Sequence, residues 1–393
     1  MKKPACAALA VMMSLCFSPF SQAGQAWESY KARFLMPDGR IVDTGNGNVS
    51  HTEGQGFAML MAVASDDKAA FDKLWQWTDS TLKNKENGLF YWRYNPVEPD
   101  PITDKNDATD GDTMIAWALL KADARWHDKS YSTASDAITK ALVAHTVIRY
   151  AGQRVMLPGA QGFNLNSEVV LNPSYFIFPA WQAFADRSHL QVWRELIKDG
   201  QTLLGKMGSG KANLPTDWVS LAADGTLTPA KAWPPRMSYD AIRIPLYVHW
   251  FNPQSPLLSP WRSWFGQFRR EQTPAWVNVT TNDYAPYMME GGLLAVRDFT
   301  MGQAMSEPEI TAKDDYYSAS LKMLVWVAGQ YNGSPHPGGS PVWRVFRVGE
   351  LLNLIVGMAP NHHRSTVHTA YSGTESPPHS RSQTLPPSAA DRW

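Results

Sequence analysis

Residues 57–82 read FAMLMAVASDDKAAFDKLWQWTDSTL, and their apolar side chains recur three and four positions apart. That spacing matches the period of an α-helix, so the stretch predicts amphipathic helix. Similar spacing returns along the rest of the chain, and helix therefore dominates the expected structure. Further helical stretches lie at residues 27–36, 113–126, 132–150, 175–186, 190–207, 241–251, 260–268, 291–304 and 316–331.

The segments between these stretches are rich in Gly, Pro, Asn and Asp, as in RYNPVEPDPITDKNDATDGD at residues 93–112. Strand-like alternation is scarce, and no motif repeats at a fixed period of about 20 to 50 residues. About ten to twelve helices joined by short and long loops indicate helical hairpins lying side by side. We therefore predict an all-α fold, a closed ring of helical hairpins whose pocket is built from loops at the helix ends.

Composition narrows the class of partner. The 36 basic and 36 acidic residues give no formal net charge, so a nucleic-acid partner is not expected. The 17 Trp and 14 Tyr residues are many for 393 positions. Large aromatic faces stack on the apolar side of sugar rings, although most of these side chains could instead pack in the core. The composition thus favours a carbohydrate ligand.

Residues 1–23, MKKPACAALAVMMSLCFSPFSQA, have a positive start, an apolar middle and a small-residue end. This pattern is typical of a secretory signal peptide cleaved after Ala23. Cys6 and Cys16 both lie within it, so the mature chain would have neither disulfides nor thiolate metal sites. No later stretch approaches about 18 consecutive apolar residues, so no membrane-spanning segment is expected. We predict a periplasmic or secreted protein.

The end of the chain differs in character. Residues 359–393 are polar and rich in Pro and Ser, and such a segment buries too little apolar surface to order itself. We predict a disordered tail, which leaves residues 24–358 as the folded domain. His362 and His363 could bind a metal, but adjacent histidines in such a tail are expected to be solvated.

One lone acid stands in SHTEGQGFAM, residues 50–59, where Glu53 is followed by two glycines at the front of an apolar run. Glycine allows close approach of the backbone to a ligand or a positive φ, and an acid is favoured at the start of a helix. The residue is either part of a helix N-terminus capped by Thr52 or a catalytic acid with partners elsewhere.

Two further segments carry acids. In ATDGDTMIAWALL, residues 108–120, Asp110 and Asp112 flank a glycine just before a helix, where Thr109 or Asp110 could simply act as the cap. In MSYDAIR, Asp240 precedes Arg243 by three positions. That spacing places both on one helix face, as an active pair or as an ordinary surface pair.

All three sites share a pattern, because each acid stands at or near the start of an apolar helix. In a ring of hairpins the inner helices run the same way, so their N-termini can bring distant acids together. Converging carboxylates suit hydrolysis of a glycosidic bond, which needs one proton donor and one base. Burial near aromatics favours the protonated form of an acid, and a neighbouring arginine keeps a base ionised. Glu53 is therefore the candidate acid and Asp240 the candidate base.

Several blocks of the sequence resemble those of the family 8 glycoside hydrolases. They are TEGQGFAMLMAV, ATDGDTMIAWALLKADARW, NPSYFIFPAWQAFA, SYDAIR and DDYYSASLKMLVW. They occur in the family's order between about Trp27 and Glu350, and ATDGD followed by IAWALL and Trp126 is the most specific. Within the family they are most similar to the periplasmic endoglucanases that accompany bacterial cellulose synthase. Beyond Leu352 the resemblance ends.

The resemblance implies an (α/α)6 barrel with an active-site cleft at the N-terminal ends of its inner helices. It further implies hydrolysis of β-1,4-glucan with inversion, without a metal or organic cofactor. Glu53 would be the proton donor and Asp240 the general base. Asp110 matches the acid that the family signature marks as catalytic, often as a nucleophile. Because inversion needs no covalent nucleophile, we interpret Asp110 as a sugar-binding carboxylate that steadies the distorted ring.

Other positions would assist these acids. Arg243 would orient Asp240, Tyr175 and Tyr317 would line the sugar subsites, and Asp112 would support its loop or cap its helix. Each candidate aromatic platform for glucose could instead be a core residue. The candidate platforms are Trp92, Trp117, Trp181 and Trp218.

The sequence therefore predicts an exported endo-1,4-β-glucanase acting on cellulose, linked to bacterial cellulose synthesis and export. Its partners would be β-1,4-glucan chains, with the cellulose synthase export machinery as a further candidate. A family 8 chitosanase or xylanase is an alternative, but chitosan is cationic and would favour an excess of acids. A lyase would need a basic cleft, and a non-catalytic glucan-binding assembly component would lack one of the three acids.

Overall fold

A computed structural model describes residues 24–331 of the chain. The predicted signal peptide with Cys6 and Cys16 lies outside the described residues, as do residues 332–358 of the predicted domain. The predicted tail, with His362 and His363, also lies outside them. Within the described part, no helix combines the length and apolar character needed to cross a membrane.

Helix dominates the described residues, as the sequence predicts. The helices are α1 (Gln25–Phe34), α2 (Thr52–Ala64), α3 (Lys68–Thr81), α4 (Thr109–Trp126), α5 (Lys129–Thr146), α6 (Phe178–Ser188), α7 (Gln191–Leu204), α8 (Arg243–Phe251), α9 (Ser259–Phe265), α10 (Gly291–Thr300) and α11 (Tyr316–Tyr331). Short 3₁₀ turns lie at Pro173–Tyr175, Pro256–Leu258 and Arg270–Gln272.

Short antiparallel strands occupy the loops. They are β1 (Ser50–His51), β2 (Arg93–Tyr94), β3 (Val147–Tyr150), β4 (Gln153–Met156), β5 (Glu168–Leu171), β6 (Val219–Ala222), β7 (Leu227–Pro229), β8 (Arg236–Met237) and β9 (Val277–Asn278). Strand β1 pairs with β2, β3 with β4, β8 with β9, and β6 lies between β5 and β7. These small sheets shape the loops between helices without forming a layer of their own.

Six helices contact one another in a closed series. Helix α2 packs against α4, α4 against α6, α6 against α8, α8 against α10, α10 against α11, and α11 against α2. Other helices pack on the outside of this series: α3 on α2, α5 on α4, α7 on α6, α9 on α10 and α1 on α11.

The two groups of helices differ in their sequences. Helix α2 is buried on every side from Thr52 to Val63, and α8 from Arg243 to Trp250, which explains their nearly continuous apolar runs. Outer helix α7 instead buries one stripe whose members lie three and four residues apart. That stripe comprises Trp193, Leu196, Ile197, Gly200, Leu203 and Leu204.

Gly56 and Gly111 let α2 and α4 approach each other closely. A Cβ atom on Gly111 would lie 2.8 Å from the carbonyl carbon of Thr52, and one on Gly56 would lie 2.8 Å from Cβ of Met114. Non-bonded carbons do not come this close, so any side chain at either position would push the helices apart. At Gly56 the requirement is therefore helix packing, and not a positive φ or the approach of a ligand.

The starts of these helices differ from the sequence-based expectation. His51, and not Thr52, caps α2, because its ring Nδ1 accepts a hydrogen bond from the amide of Gly54 at 3.0 Å. Helix α4 begins after Ala108 without a side-chain cap. The Thr109 hydroxyl instead donates to the carbonyl of Leu157 at 2.9 Å. Capping therefore does not account for the acids of these two segments.

Several helical stretches differ from the predicted bounds: residues 57–82 form two helices, α2 and α3, and α7, α9 and α10 end before the predicted residues. Residues 147–150, VIRY, form strand β3 of a hairpin and do not extend α5, since two β-branched residues lead into the turn that pairs them with β4. Helix α8 begins at Arg243, so Asp240 lies in the turn that precedes it. The two residues contact each other across this turn and not along a helix face.

Candidate active site

The guanidinium of Arg243 connects the three predicted acids. Its Nη1 lies 2.9 Å from Glu53 Oε2, while its Nη2 lies 3.5 Å from Asp240 Oδ1 and 3.6 Å from Asp110 Oδ2. Arg243 is only 1% exposed, and all three acids are buried. The surface-pair alternative for Asp240 and Arg243 is therefore wrong, and the arginine serves all three carboxylates.

The three acids lie at, or just before, the first residues of helices. Glu53 is the second residue of α2, Asp110 is the second residue of α4, and Asp240 stands three residues before the first residue of α8. Helix N-termini carry partial positive charge, which stabilises carboxylates placed there. The structure thus gathers acids that are far apart in the sequence at the N-terminal ends of three helices of the closed series.

Glu53 is held by a second donor. The hydroxyl of Tyr316, the first residue of α11, donates to Glu53 Oε1 at 2.9 Å. The ring of His51 packs edge-on against Tyr316 with centroids 5.2 Å apart, and His51 Nε2 lies 3.0 Å from Asp43. Both oxygens of Glu53 therefore have defined partners. Tyr316 was not among the predicted site residues, although it lies in the DDYY block.

Asp240 is oriented by an amide. Asn172 Nδ2 donates to Asp240 Oδ2 at 3.2 Å, and the Oδ1 atom of Asn172 accepts a hydrogen bond from the Ser174 hydroxyl at 2.5 Å. Arg243 Nη2 donates to the same hydroxyl at 3.0 Å. A closed network thus links the candidate base to the arginine through Asn172 and Ser174. Neither residue was selected from sequence, although both lie in the NPSY block.

Tyr175 and Tyr317 lie at this cluster, as the sequence analysis proposed. Burial, and then the charges of Asp110 and Asp240, raise the pKa of Tyr175 well above its ordinary value, so its phenol stays protonated. Tyr317 donates to the carbonyl of Tyr239, and its hydroxyl lies 3.5 Å from Arg243 Nη1. Tyr175 is thus a neutral phenol beside the acids, whereas the Tyr317 hydroxyl is held by the backbone next to Asp240.

The guanidinium keeps its charge in this buried position. Burial by itself lowers the pKa of Arg243, but the neighbouring Tyr317 and Glu53 more than offset this effect. The net result is a pKa well above the ordinary value. A permanently charged arginine can therefore balance several carboxylates at once.

Asp112 belongs to a separate buried pair with Asp107. Burial raises the pKa of both carboxyl groups, and the charge of Asp107 raises that of Asp112 further. Asp112 accepts from the amide of Phe90 at 3.3 Å, while Asp107 accepts from the amide of Ala160 at 2.7 Å. Asp112 therefore supports the loops around the start of α4, one of the two roles expected for it, and is not a cap.

The four predicted tryptophan platforms are all largely buried, with exposed fractions between 1% and 9%. Trp117 is 1% exposed and packs against Trp250 with ring centroids 5.2 Å apart, so its ring has no face open to a sugar. Trp181 is equally buried among Phe176 and Phe178. The prediction that either is a platform is wrong, since both rings are packed in the core between helices.

The remaining two tryptophans contact residues of the site or next to it. The carbonyl of Trp92 accepts from the amide of Thr52 at 3.0 Å, at the start of the helix that carries Glu53. Trp218 is 5% exposed, contacts Tyr175 edge-on at 6.2 Å, and stacks with both Phe163 at 5.8 Å and Trp233 at 4.5 Å, so the prediction that its own ring is an open platform is wrong. Trp233 is only partly buried and was missed from sequence, because its proline-rich surroundings show no periodicity.

These groups are suited to acid–base chemistry. The site combines three buried carboxylates, one guanidinium, several phenols and aromatic faces, which are the groups needed to bind a sugar and transfer protons. Between residues 24 and 331, no group of three or more His, Cys, Asp or Glu side chains is arranged to hold a metal ion.

Comparison with known proteins identifies the family. The family model described as glycosyl hydrolases family 8 matches residues 1–331. An endoglucanase of Cellulomonas uda is 64% identical over 306 residues, which make up 78% of this chain and 85% of that protein.

Two solved structures are also similar. Endoglucanase Cel10, a family 8 glycosyl hydrolase from Klebsiella pneumoniae, is 68% identical with a TM-score of 0.78, covering 78% of this chain and 99% of that one. A GH8 endo-beta-1,4-glucanase from an Achatina fulica gut metagenomic library is 72% identical with a TM-score of 0.77, covering 79% and 98%. With its helical fold and its cluster of acids at the helix starts, the chain belongs to the glycosyl hydrolases of family 8.

Proposed function

We propose that this family 8 enzyme is an endo-1,4-β-glucanase that hydrolyses internal bonds of cellulose. The observation that carries the proposal is the gathering of Glu53, Asp110 and Asp240 around Arg243 in a buried site. The similar proteins from Cellulomonas uda and Klebsiella pneumoniae are named endoglucanases, and the metagenomic one an endo-beta-1,4-glucanase, which supports the substrate class.

Hydrolysis then follows a single-displacement course. Glu53 gives its proton to the leaving glycosidic oxygen as the bond from the anomeric carbon to that oxygen breaks. Asp240 takes a proton from a water molecule, whose oxygen forms the new bond on the opposite face of the ring. The configuration at the anomeric carbon inverts, and no covalent link to the protein forms.

Asp110 acts on the sugar and not on the water. Its Oδ2 lies on the same guanidinium as the other acids, and its Oδ1 accepts the amide of Gly111 at 2.8 Å. A fixed carboxylate of this kind can accept hydrogen bonds from sugar hydroxyls and favour a distorted ring, in which charge develops near the anomeric carbon. We assign it that role in place of a covalent nucleophile.

The architecture is that of an (α/α)6 barrel with the cleft at the N-terminal ends of its inner helices. The closed series of contacts through α2, α4, α6, α8, α10 and α11 supports this arrangement, as do the helices packed outside it. The positions of the three acids at helix starts support the location of the cleft.

The biological setting follows from the sequence resemblance. We propose export by the segment at residues 1–23 to the periplasm or the medium, and action on glucan chains emerging from a cellulose synthase. Cell fractionation with an antibody to the protein tests the first point. The cellulose yield of a deletion strain, with and without an Asp240→Asn copy, tests the second.

The activity is tested on carboxymethyl cellulose, with xylan and chitosan in parallel. We would purify the full chain and its Glu53→Gln and Asp240→Asn variants, and follow both viscosity and new reducing ends. Asp224→Asn is the matched control, because Asp224 lies in the β6–β7 turn and its carboxylate accepts local hydrogen bonds from Thr226.

The expected result is a rapid fall in viscosity on the cellulose derivative, lost in both active-site variants and kept in the control. We expect at least about a 10³-fold loss of kcat for each variant, as for removal of a general acid or base. Cleavage of xylan or chitosan alone would refute the substrate assignment. Binding of glucan without cleavage would refute the enzyme assignment.

A further inference from the structure

Asp217 is an acidic residue beside the active site to which the mechanism above assigns no task. It immediately precedes Trp218 and strand β6, and its side chain is partly buried. The carboxylate does not contact Arg243. It instead reaches the backbone of the segment that carries Asp240.

One oxygen of Asp217 binds two amides of that segment. Oδ1 accepts from the N–H of Ser238 at 3.0 Å and from the N–H of Ala241 at 2.8 Å. The amide of Asp217 itself donates to the carbonyl of Arg236 at 2.9 Å. Three hydrogen bonds thus connect position 217 to residues on both sides of Asp240.

This connection matters because Asp240 lies in no regular element. Strand β8 ends at Met237 and α8 begins at Arg243, so the backbone from residue 238 to 242 lacks the repeating hydrogen bonds of a helix or strand. Asn172 and Arg243 orient the side chain of Asp240. Its backbone turn is closed by two isolated hydrogen bonds, from the N–H of Ile242 to the carbonyl of Ser238 at 3.1 Å and from the N–H of Arg243 to the carbonyl of Asp240 at 3.0 Å, and Asp217 fixes this turn to the neighbouring loop. A displacement of about 1 Å in such a group is enough to slow catalysis by about 10²-fold.

We propose that Asp217 is a positioning residue for the general base. It clamps the turn at Ser238 and Ala241, so that the Asp240 carboxylate points at the attacking water. This proposal rests on the role of Asp240 in the proposed function.

The surroundings of Asp217 also favour an uncharged acceptor at this position. Burial, and then the charge of Asp240, raise the pKa of Asp217 to about 7, whereas Arg243 opposes this shift. The Asp217 carboxyl is therefore neutral in acid and still accepts both amides through Oδ1. An acceptor that adds no second negative charge next to Asp240 suits this position.

Three variants of Asp217 separate positioning from general damage. Asp217→Ala removes the acceptor, Asp217→Glu keeps it but lengthens the side chain by one methylene, and Asp217→Asn keeps an acceptor of the same size. The matched control is Asp224→Ala, which removes a carboxylate that also accepts a backbone amide but lies in the β6–β7 turn. Each variant of the full chain is measured for kcat, KM and melting temperature on whichever of the three polysaccharides the wild type cleaves.

We expect Asp217→Ala and Asp217→Glu to lower kcat by about 10 to 100-fold with KM within about threefold of the wild type. Asp217→Asn should restore kcat to within about threefold, and the control should match the wild type. Asp217→Glu serves as the main test if the alanine variant does not fold. Full activity of the folded glutamate variant, or an asparagine variant as slow as the alanine one, would overturn the proposal. Cleavage of xylan alone would refute the cellulase assignment and leave Asp217 testable, whereas no cleavage at all would refute both.

Discussion

The guanidinium of Arg243 lies 2.9 Å from the carboxylate of Glu53, a residue 190 positions away in the chain. Its distance to Asp240, the acid that it was expected to orient, is longer, at 3.5 Å. Arg243 therefore contacts the proposed proton donor more closely than the proposed base, so Glu53 has to take up a proton against this ion pair before it can act as the acid. Since a planar fork of donors can reach several acceptors in fixed directions, arginine suits this position better than any other cation.

Replacement of Arg243 by lysine should abolish most activity. Lysine keeps the charge, but its single ammonium group cannot reach Glu53, Asp110 and Ser174 together. We expect kcat to fall by at least about 10²-fold, with a loss of about 3 kcal/mol in unfolding free energy, because buried carboxylates would lose their partner. Steady-state kinetics and urea unfolding check both effects. A lysine variant with more than half of the wild-type kcat would show that a point charge is sufficient.

Substitution of Gly111 by alanine should damage the site through packing alone. The added Cβ would lie 2.8 Å from the Thr52 carbonyl carbon, which adjoins Glu53 in the chain, so α2 and α4 must move apart. We expect about a tenfold or greater loss of kcat and a loss of about 1–3 kcal/mol in stability. The control is Gly205→Ala at the end of the outer helix α7, where the nearest atom would lie at 3.5 Å. Equal activity in the two variants would contradict this account.

The sequence allowed the helices and the three acids to be predicted, because both are local signals. The 3.6-residue period marks helices such as α2 and α7, and an acid just before an apolar run marks a helix start. The position of Glu53 within its helix and its closeness to Asp110 follow from these two signals and the assumption of parallel inner helices. Little further information was needed to expect a cluster of carboxylates.

The supporting residues could not be predicted in this way. Asn172 and Ser174 gain their roles only when a turn before α6 meets the turn before α8, nearly 70 positions away. His51 caps α2 through Nδ1, because Asp43 binds Nε2 of the same ring and so fixes its orientation. Such contacts depend on tertiary packing, which periodicity does not describe. The same limit explains why Trp117 was proposed as a platform, since aromatic content does not reveal which face of a helix is buried.

Asp110 gives a prediction about stereochemistry. If it binds sugar and forms no covalent bond, the first product released from a β-linked cello-oligosaccharide should carry the α configuration. Proton NMR during the first minutes of reaction, before mutarotation, detects that anomer. Asp110→Asn should lower kcat by about 10²-fold while its residual product keeps the α configuration. A β-configured first product would instead support a nucleophile and a retaining mechanism.

Trp117 and Trp233 should respond differently to truncation. Trp117→Leu should cost about 2–4 kcal/mol of stability and leave KM unchanged, because the ring is enclosed in the core next to Trp250. Trp233→Ala should raise KM severalfold with little loss of stability, since its ring is the outer member of a stack that reaches Tyr175 through Trp218. Unfolding curves and kinetics on cello-oligosaccharides measure both. A rise in KM for the Trp117 variant at unchanged stability would show that Trp117 binds the sugar after all.

Asp217 should make the stability of the enzyme depend on pH. Its pKa is raised to about 7 in the fold, against about 4 in an unfolded chain. Between these two values the native state binds more protons than the unfolded state, so the free energy of unfolding falls as the pH rises and stays low above pH 7. Asp217→Asn carries no such proton and should escape this loss.

We expect the free energy of unfolding of Asp217→Asn to exceed that of the wild type by about 1–2 kcal/mol at pH 8, allowing for the partial exposure of the group. At pH 4 the two proteins should be nearly equal in stability. Urea unfolding of both proteins at the two pH values measures the difference. Asp224→Asn provides the comparison, because local hydrogen bonds to Thr226 lower the pKa of Asp224 and its loss should bring no gain at alkaline pH. An equal stability difference at pH 4 and pH 8 for the Asp217 variant would mean that its carboxyl is already ionised in acid, and that the turn of Asp240 is held by a charged acceptor.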